Sequence, residues 1–96
     1  MQIRLLTRAG VHTVDVRDGV TLLRATRRAR LPLGQSCRGE GVCAACRVQV
    51  VEGNEHLRAM DAVEMALAAR IPLGPDERYA CRARVAGPVS FTTTYW

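Results

Sequence analysis

The chain has no lysine and few aromatic side chains, with one Phe, one Trp and two Tyr among 96 residues. All 14 of its basic residues are therefore arginine, a bias that a G- and C-rich coding sequence also produces. The formal net charge of +5 carries more physical meaning, since it favours acidic partners, whether protein, nucleic acid or membrane surface. Scarcity of aromatics counts against nucleic acid, because single strands bind where stacking rings interleave with cations. Long hydrophobic runs are missing too. The longest uncharged stretch, Val85–Trp96, is too short and too rich in Thr, Gly and Pro to span a bilayer. Met1-Gln2-Ile3-Arg4 lacks a basic region followed by a long apolar segment, so no signal peptide is expected and a cytoplasmic setting is. Background levels of Gly and Pro, with 24% charged residues, exclude collagen-like, coiled-coil and disordered classes. The length predicts a single domain over 1–96.

Two alternating runs, Ile3–Thr7 and Val11–Arg17, flank Arg8-Ala9-Gly10 and predict a β-hairpin. In the second run His12, Val14 and Val16 share a face. Thr21 is placed to cap a helix over Leu22–Leu31 that Pro32 ends, with Leu22, Thr26 and Ala29 as its buried stripe. Arg24, Arg27 and Arg28 fall on the opposite side, which reads first as a solvated face and second as a dock for an acidic partner. Leu33–Cys46 breaks all periodicity, and Arg47–Glu52 resumes as a strand closed by Gly53-Asn54. Asp61-Ala62-Val63-Glu64 starts a second helix, in the manner of a capping box, that runs to Arg70. Arg78–Val85 and Val89–Tyr95 then predict a final hairpin around Gly87-Pro88. The order is β-β-α-loop-β-α-β-β, an α+β class with a small mixed sheet packed on one main helix.

Chemistry concentrates in the loop. The spacing Cys37-x5-Cys43-x2-Cys46, with Cys81 far downstream, places three soft donors together and a fourth apart. Thiolates select zinc or iron–sulfur clusters over calcium and magnesium. A zinc ribbon presents two tight CxxC knuckles, and only Cys43/Cys46 forms one here. Three ligands on one loop plus a remote fourth is the pattern of a 2Fe-2S cluster. Zinc, paired disulfides and core thiols are the bland alternatives. Gly39 and Gly41 let the backbone approach closely, Ala44 and Ala45 keep the CxxC interval free of bulk, and Arg38, Arg47 and Arg82 each adjoin a cysteine, where they would offset cluster charge.

On these residues the chain resembles the 2Fe-2S ferredoxins of β-grasp fold. The C-x5-C-x2-C spacing is similar to that of the adrenodoxin and bacterial Isc-type branch. Gly41-Val42-Cys43-Ala44-Ala45-Cys46-Arg47-Val48 also resembles ferredoxin domains attached to quinone reductases and corrinoid-activating proteins. Arg78-Tyr79-Ala80-Cys81-Arg82 resembles the family's surroundings of the fourth ligand, and Asp61–Arg70 sits where that branch carries a helix. The resemblance implies a β-grasp fold, a 2Fe-2S cluster held by Cys37, Cys43, Cys46 and Cys81, and one-electron transfer. Its implied partners are a flavoprotein reductase as donor and an oxygenase, cytochrome P450 or other redox enzyme as acceptor. The branch's acidic docking helix is reduced here to Asp61 and Glu64, and Arg47 and Arg82 stand where it commonly has His and Gln.

His12 and His56 lie away from the loop and are expected at the surface or partly buried, and Tyr95-Trp96 is expected to cover a sheet edge or core rim. No acid–base pair, activated nucleophile or phosphate-cradling glycine loop is present, so an electron-transfer protein rather than an enzyme is expected. Two other readings use the same cysteines: a redox-sensing or protective protein that clamps an acidic enzyme surface, and a dedicated subunit or cargo of one larger assembly.

Overall fold

The computed structural model describes residues 1–33, 46–94 and 96. Strands β1 (Gln2–Thr7) and β2 (Gly10–Asp15) form the predicted hairpin, with Thr7 paired to Gly10 across Arg8 and Ala9. Helix α1 (Leu22–Arg28), strand β3 (Arg47–Glu52), helix α2 (Ala62–Arg70), and strands β4 (Glu77–Tyr79) and β5 (Val89–Thr92) follow. The five strands form one mixed sheet in the order β2-β1-β5-β3-β4.

Alternation explains which side chains enter the core. Ile3 and Leu5 on β1, Val48 and Val50 on β3, and Phe91 on β5 are buried together with Leu22, Leu67 and Tyr79. Each such side chain removed from water contributes about 1.5–3 kcal/mol. Strand β2 is an edge, and its predicted face is realised only in part: Val14 is half-buried, Val16 is buried just past the strand's end, and His12 is exposed.

The predicted final hairpin does not form. Strand β5 lies between β1, to which it is parallel, and β3, to which it is antiparallel, so β4 and β5 are not neighbours. The intervening backbone has other partners. The Leu22 and Leu23 amides of α1 donate to the carbonyls of Ala83 and Ala80 at 2.9 and 3.0 Å. Val85 accepts from the Gly19 amide and donates to the Val20 carbonyl. These bonds draw the chain across the start of α1, and Val89, Ser90 and Phe91, all buried, re-enter the sheet at its centre. At the far end of β3, Gly53 turns with φ 83, and a Cβ there would sit 2.3 Å from the Pro88 carbonyl oxygen, so glycine is required.

Helix α1 ends earlier than Pro32 predicts. Arg30 adopts a left-handed φ of 59, and the Leu31 amide reaches back to the Thr26 carbonyl, a C-terminal motif closed without proline or glycine. Its buried residues are Leu22, Leu23, Ala25 and Thr26, a wider stripe than predicted, while Ala29 is only half-buried. Thr21 caps as predicted, its hydroxyl oxygen accepting from the Arg24 amide at 3.2 Å. Trp96 is buried, with its ring centroid 5.6 Å from that of Phe91, and its indole N–H donates to the Pro32 carbonyl. Among the described residues no helix is long and apolar enough to cross a membrane.

Candidate metal centre

Of the four cysteines, Cys46 and Cys81 are described, while Cys37 and Cys43, with Arg38, Gly39, Gly41, Ala44 and Ala45, lie outside the described residues. Cys46 immediately precedes β3 and Cys81 follows β4 by two residues. The antiparallel register pairs Arg47 with Tyr79, and one step beyond it the Ala80 amide donates to the Cys46 carbonyl at 3.0 Å. Two cysteines far apart in sequence thus meet at the same end of adjacent strands. Cys46 is fully buried and Cys81 is 5% exposed. After Tyr79 the backbone coils tightly, with the amides of Arg82 and Ala83 both donating to the Tyr79 carbonyl. That turn carries Cys81 and rests on the first turn of α1 through the Leu22 and Leu23 amides.

The turn is clamped from its other side by α2. Glu64 is fully buried, and its two carboxylate oxygens receive Nε and Nη2 of Arg78 at 2.7 and 2.6 Å. One of those oxygens also accepts the Tyr79 amide at 3.1 Å. The ring of Tyr79 is buried and its hydroxyl donates to the Ile71 carbonyl; burial raises its pKa above the usual tyrosine value. Asp61 uses one oxygen to cap α2 at the Glu64 amide, 2.8 Å away, and the other to hold Arg82 Nη2 at 2.6 Å. The hydrogen bond from Arg82 holds the Asp61 carboxyl below its ordinary range, with burial opposing, and the same bond raises Arg82.

These contacts revise two expectations. The capping box is only half made, because Glu64 turns inward to Arg78 instead of back to the start of its helix. Arg82 is paired with Asp61, and Arg47 lies 4.0 Å from Glu77, so the cations beside Cys46 and Cys81 are largely matched by carboxylates of the fold itself. The buried Glu64–Arg78 pair escaped sequence reading. Its only signal was a glutamate at the third position of a helix and an arginine just before Cys81. His12 is exposed on β2, and half-buried His56 places Nδ1 2.6 Å from the Pro88 carbonyl oxygen, at the end of β3 opposite Cys46.

The family model for the 2Fe-2S iron-sulfur cluster binding domain matches residues 6–86. The chain belongs to this family. The chain is 34% identical over 68 residues to chlorosome protein I of Chlorobaculum tepidum, and 40% identical over 65 residues to the reductase component DmpP of phenol 2-monooxygenase from Pseudomonas sp. CF600. These matches cover 71% and 68% of the chain but only 28% and 17% of the relatives, which are much longer. The ISC-like 2Fe-2S ferredoxin FdxB of Pseudomonas putida superposes with a TM-score of 0.82 at 20% identity, over 99% of this chain and 93% of that one, which establishes the β-grasp fold. As a member of the 2Fe-2S iron-sulfur cluster binding domain family, the chain takes a 2Fe-2S cluster as its cofactor. The donor set suits that group, since two soft thiol side chains, screened from water, stand at one end of neighbouring strands.

Proposed function

We propose that this chain is a one-electron carrier whose 2Fe-2S cluster is held by Cys37, Cys43, Cys46 and Cys81, acting between a flavoprotein reductase and an acceptor such as an oxygenase. The observation that carries the reading is the meeting of buried Cys46 and Cys81 across the β3–β4 pair, inside the region that the family model matches. When bound, the cluster supplies one reversible electron. The protein's own residues position the thiols and keep water from them. Glu64 fixes Arg78 and the Tyr79 amide, Asp61 fixes Arg82, and the α1 amides fix Ala80 and Ala83, so the backbone on both sides of Cys81 is held before any partner arrives. Preorganisation of this kind restricts movement of the ligand frame as charge changes. Thiol-based metal ligation suits a reducing compartment, and the chain is read as one domain over 1–96 working in the cytoplasm with protein partners that present acidic surfaces.

The test is iron and acid-labile sulfide analysis of protein purified without oxygen. The expected result is two irons and two sulfides per chain, with loss of both on Cys81→Ser and on Cys37→Ser. Stoichiometric zinc without sulfide, or full cluster retention in either variant, contradicts the ligand assignment.

The small share that the chain occupies of its longer relatives supports a second reading, in which it serves as the ferredoxin unit of one larger redox assembly. A single large protein co-purifying with it in fixed ratio supports that version, and turnover with unrelated acceptors argues against it.

A further inference from the structure

We propose that the cleft between the end of β2 and the outer side of α1 docks a carboxylate-rich surface of the redox partner. This deepens the electron-carrier reading above and rests on it. The cleft, with a volume of about 520 Å³, is lined by Asp15, Val16, Arg17, Val20, Arg24 and Arg28. Among the described residues its one carboxylate, Asp15, is already engaged by the Met1 ammonium group at 2.9 Å. Arg17, Arg24 and Arg28 are exposed and, among the described residues, have no carboxylate within ion-pair distance. Arg58, Arg78 and Arg82 differ, each holding an aspartate or glutamate at 2.6–2.9 Å. Three exposed guanidinium groups around a concavity, none in an ion pair among the described residues, focus positive potential there, and each presents a planar fork that fits a carboxylate.

The position suits an electron carrier. Arg24 follows Leu23, whose amide is bonded to the carbonyl of Ala80, the neighbour of Cys81. An acidic surface gripped by Arg24 and Arg28 therefore lies along the helix that abuts the Cys81 turn. Nucleic acid is a poorer match because no aromatic side chain lines the cleft among the described residues, and a membrane is poorer because the lining valines are buried or half-buried rather than protruding.

The proposal is tested by fluorescence anisotropy of a labelled hexaglutamate peptide with the cluster-loaded protein at low ionic strength. The expected result is saturable binding that weakens about fivefold to tenfold in Arg24→Gln/Arg28→Gln and recedes as salt rises. The variant Arg4→Gln/Arg8→Gln removes the same charge elsewhere and is expected to bind nearly as well as the parent. Equal weakening in both variants, absence of binding, or tighter Arg24/Arg28-dependent capture of phosphatidylglycerol vesicles or duplex DNA overturns the proposal. Visible absorption of each sample separates the two levels. A colourless parent protein sinks the carrier reading and this proposal with it, whereas a coloured parent whose peptide binding ignores Arg24 and Arg28 sinks the docking site alone.

Discussion

On the α2 side of the molecule, acidic and basic side chains are matched internally. Glu64 is enclosed with Arg78, and Asp61 caps its helix while holding Arg82, so α2 has little negative charge left to offer a partner. On the α1 side, Arg17, Arg24 and Arg28 line a cleft where, among the described residues, the one carboxylate, Asp15, is held by the Met1 amino group. Both helices flank the turn that carries Cys81, α1 through backbone amides and α2 through Arg78, Tyr79 and Arg82. The difference teaches that charge is tied into the fold on one flank and, among the described residues, stays exposed at the surface on the other. Net charge alone, +5 for the whole chain, reveals neither use.

The comparison breaks most easily at Glu64. Glu64→Gln leaves the Arg78 guanidinium, whose side chain is 10% exposed, without its counter-charge, and is expected to destabilise the protein by about 3–5 kcal/mol in urea unfolding. Glu64→Leu combined with Arg78→Met is expected to recover only part of that loss, since it removes both buried charges but leaves the Tyr79 amide without its acceptor. A loss under about 1 kcal/mol for Glu64→Gln would mean that the pair is not a structural clamp.

Asp61→Ala removes the α2 cap and the hold on Arg82, with an expected cost of about 1–2 kcal/mol, somewhat above the loss of about 1 kcal/mol expected for Thr21→Ala at α1. Equal costs would show that the Arg82 contact adds nothing to stability. The pH dependence has a definite sign. Because Arg82 holds the folded-state pKa of Asp61 below the ordinary 3.8, its contribution is fully present above that value and disappears as pH falls through the lower folded value. The stability gap between parent and Asp61→Asn, followed by urea midpoints from about pH 6 to about pH 3, is therefore expected to be flat and then to close only at the acid end. A gap that widens on acidification contradicts the assignment. The smallest effect belongs to the other flank: Arg24→Gln/Arg28→Gln is expected to change stability by no more than about 0.5 kcal/mol, because these side chains are exposed and form no ion pair among the described residues.

Local chemistry was legible in the sequence and distant pairing was not. Alternation located β1, β2 and β3, and the capping side chains of Thr21 and Asp61 marked the starts of α1 and α2. The end of α1 was misplaced because Arg30 turns left-handed, a conformation that its residue type does not announce. The expected hairpin after Cys81 failed for a different reason: Ala80, Ala83 and Val85 bond to residues some sixty positions upstream, where no sequence pattern points, and β4 and β5 both run antiparallel to β3. At the metal centre the residue types and spacing were readable from the cysteines themselves. The inward turn of Glu64 was hidden because a glutamate three residues after a capping aspartate ordinarily completes a capping box.

The central claim is tested most directly by electron paramagnetic resonance of the purified protein before and after dithionite reduction under argon. The account predicts a silent oxidised sample and, on reduction, a signal integrating to one unpaired electron per two irons, lost together with the irons in Cys81→Ser. A protein that stays silent on reduction while carrying zinc, or a signal that survives Cys81→Ser unchanged, would contradict it.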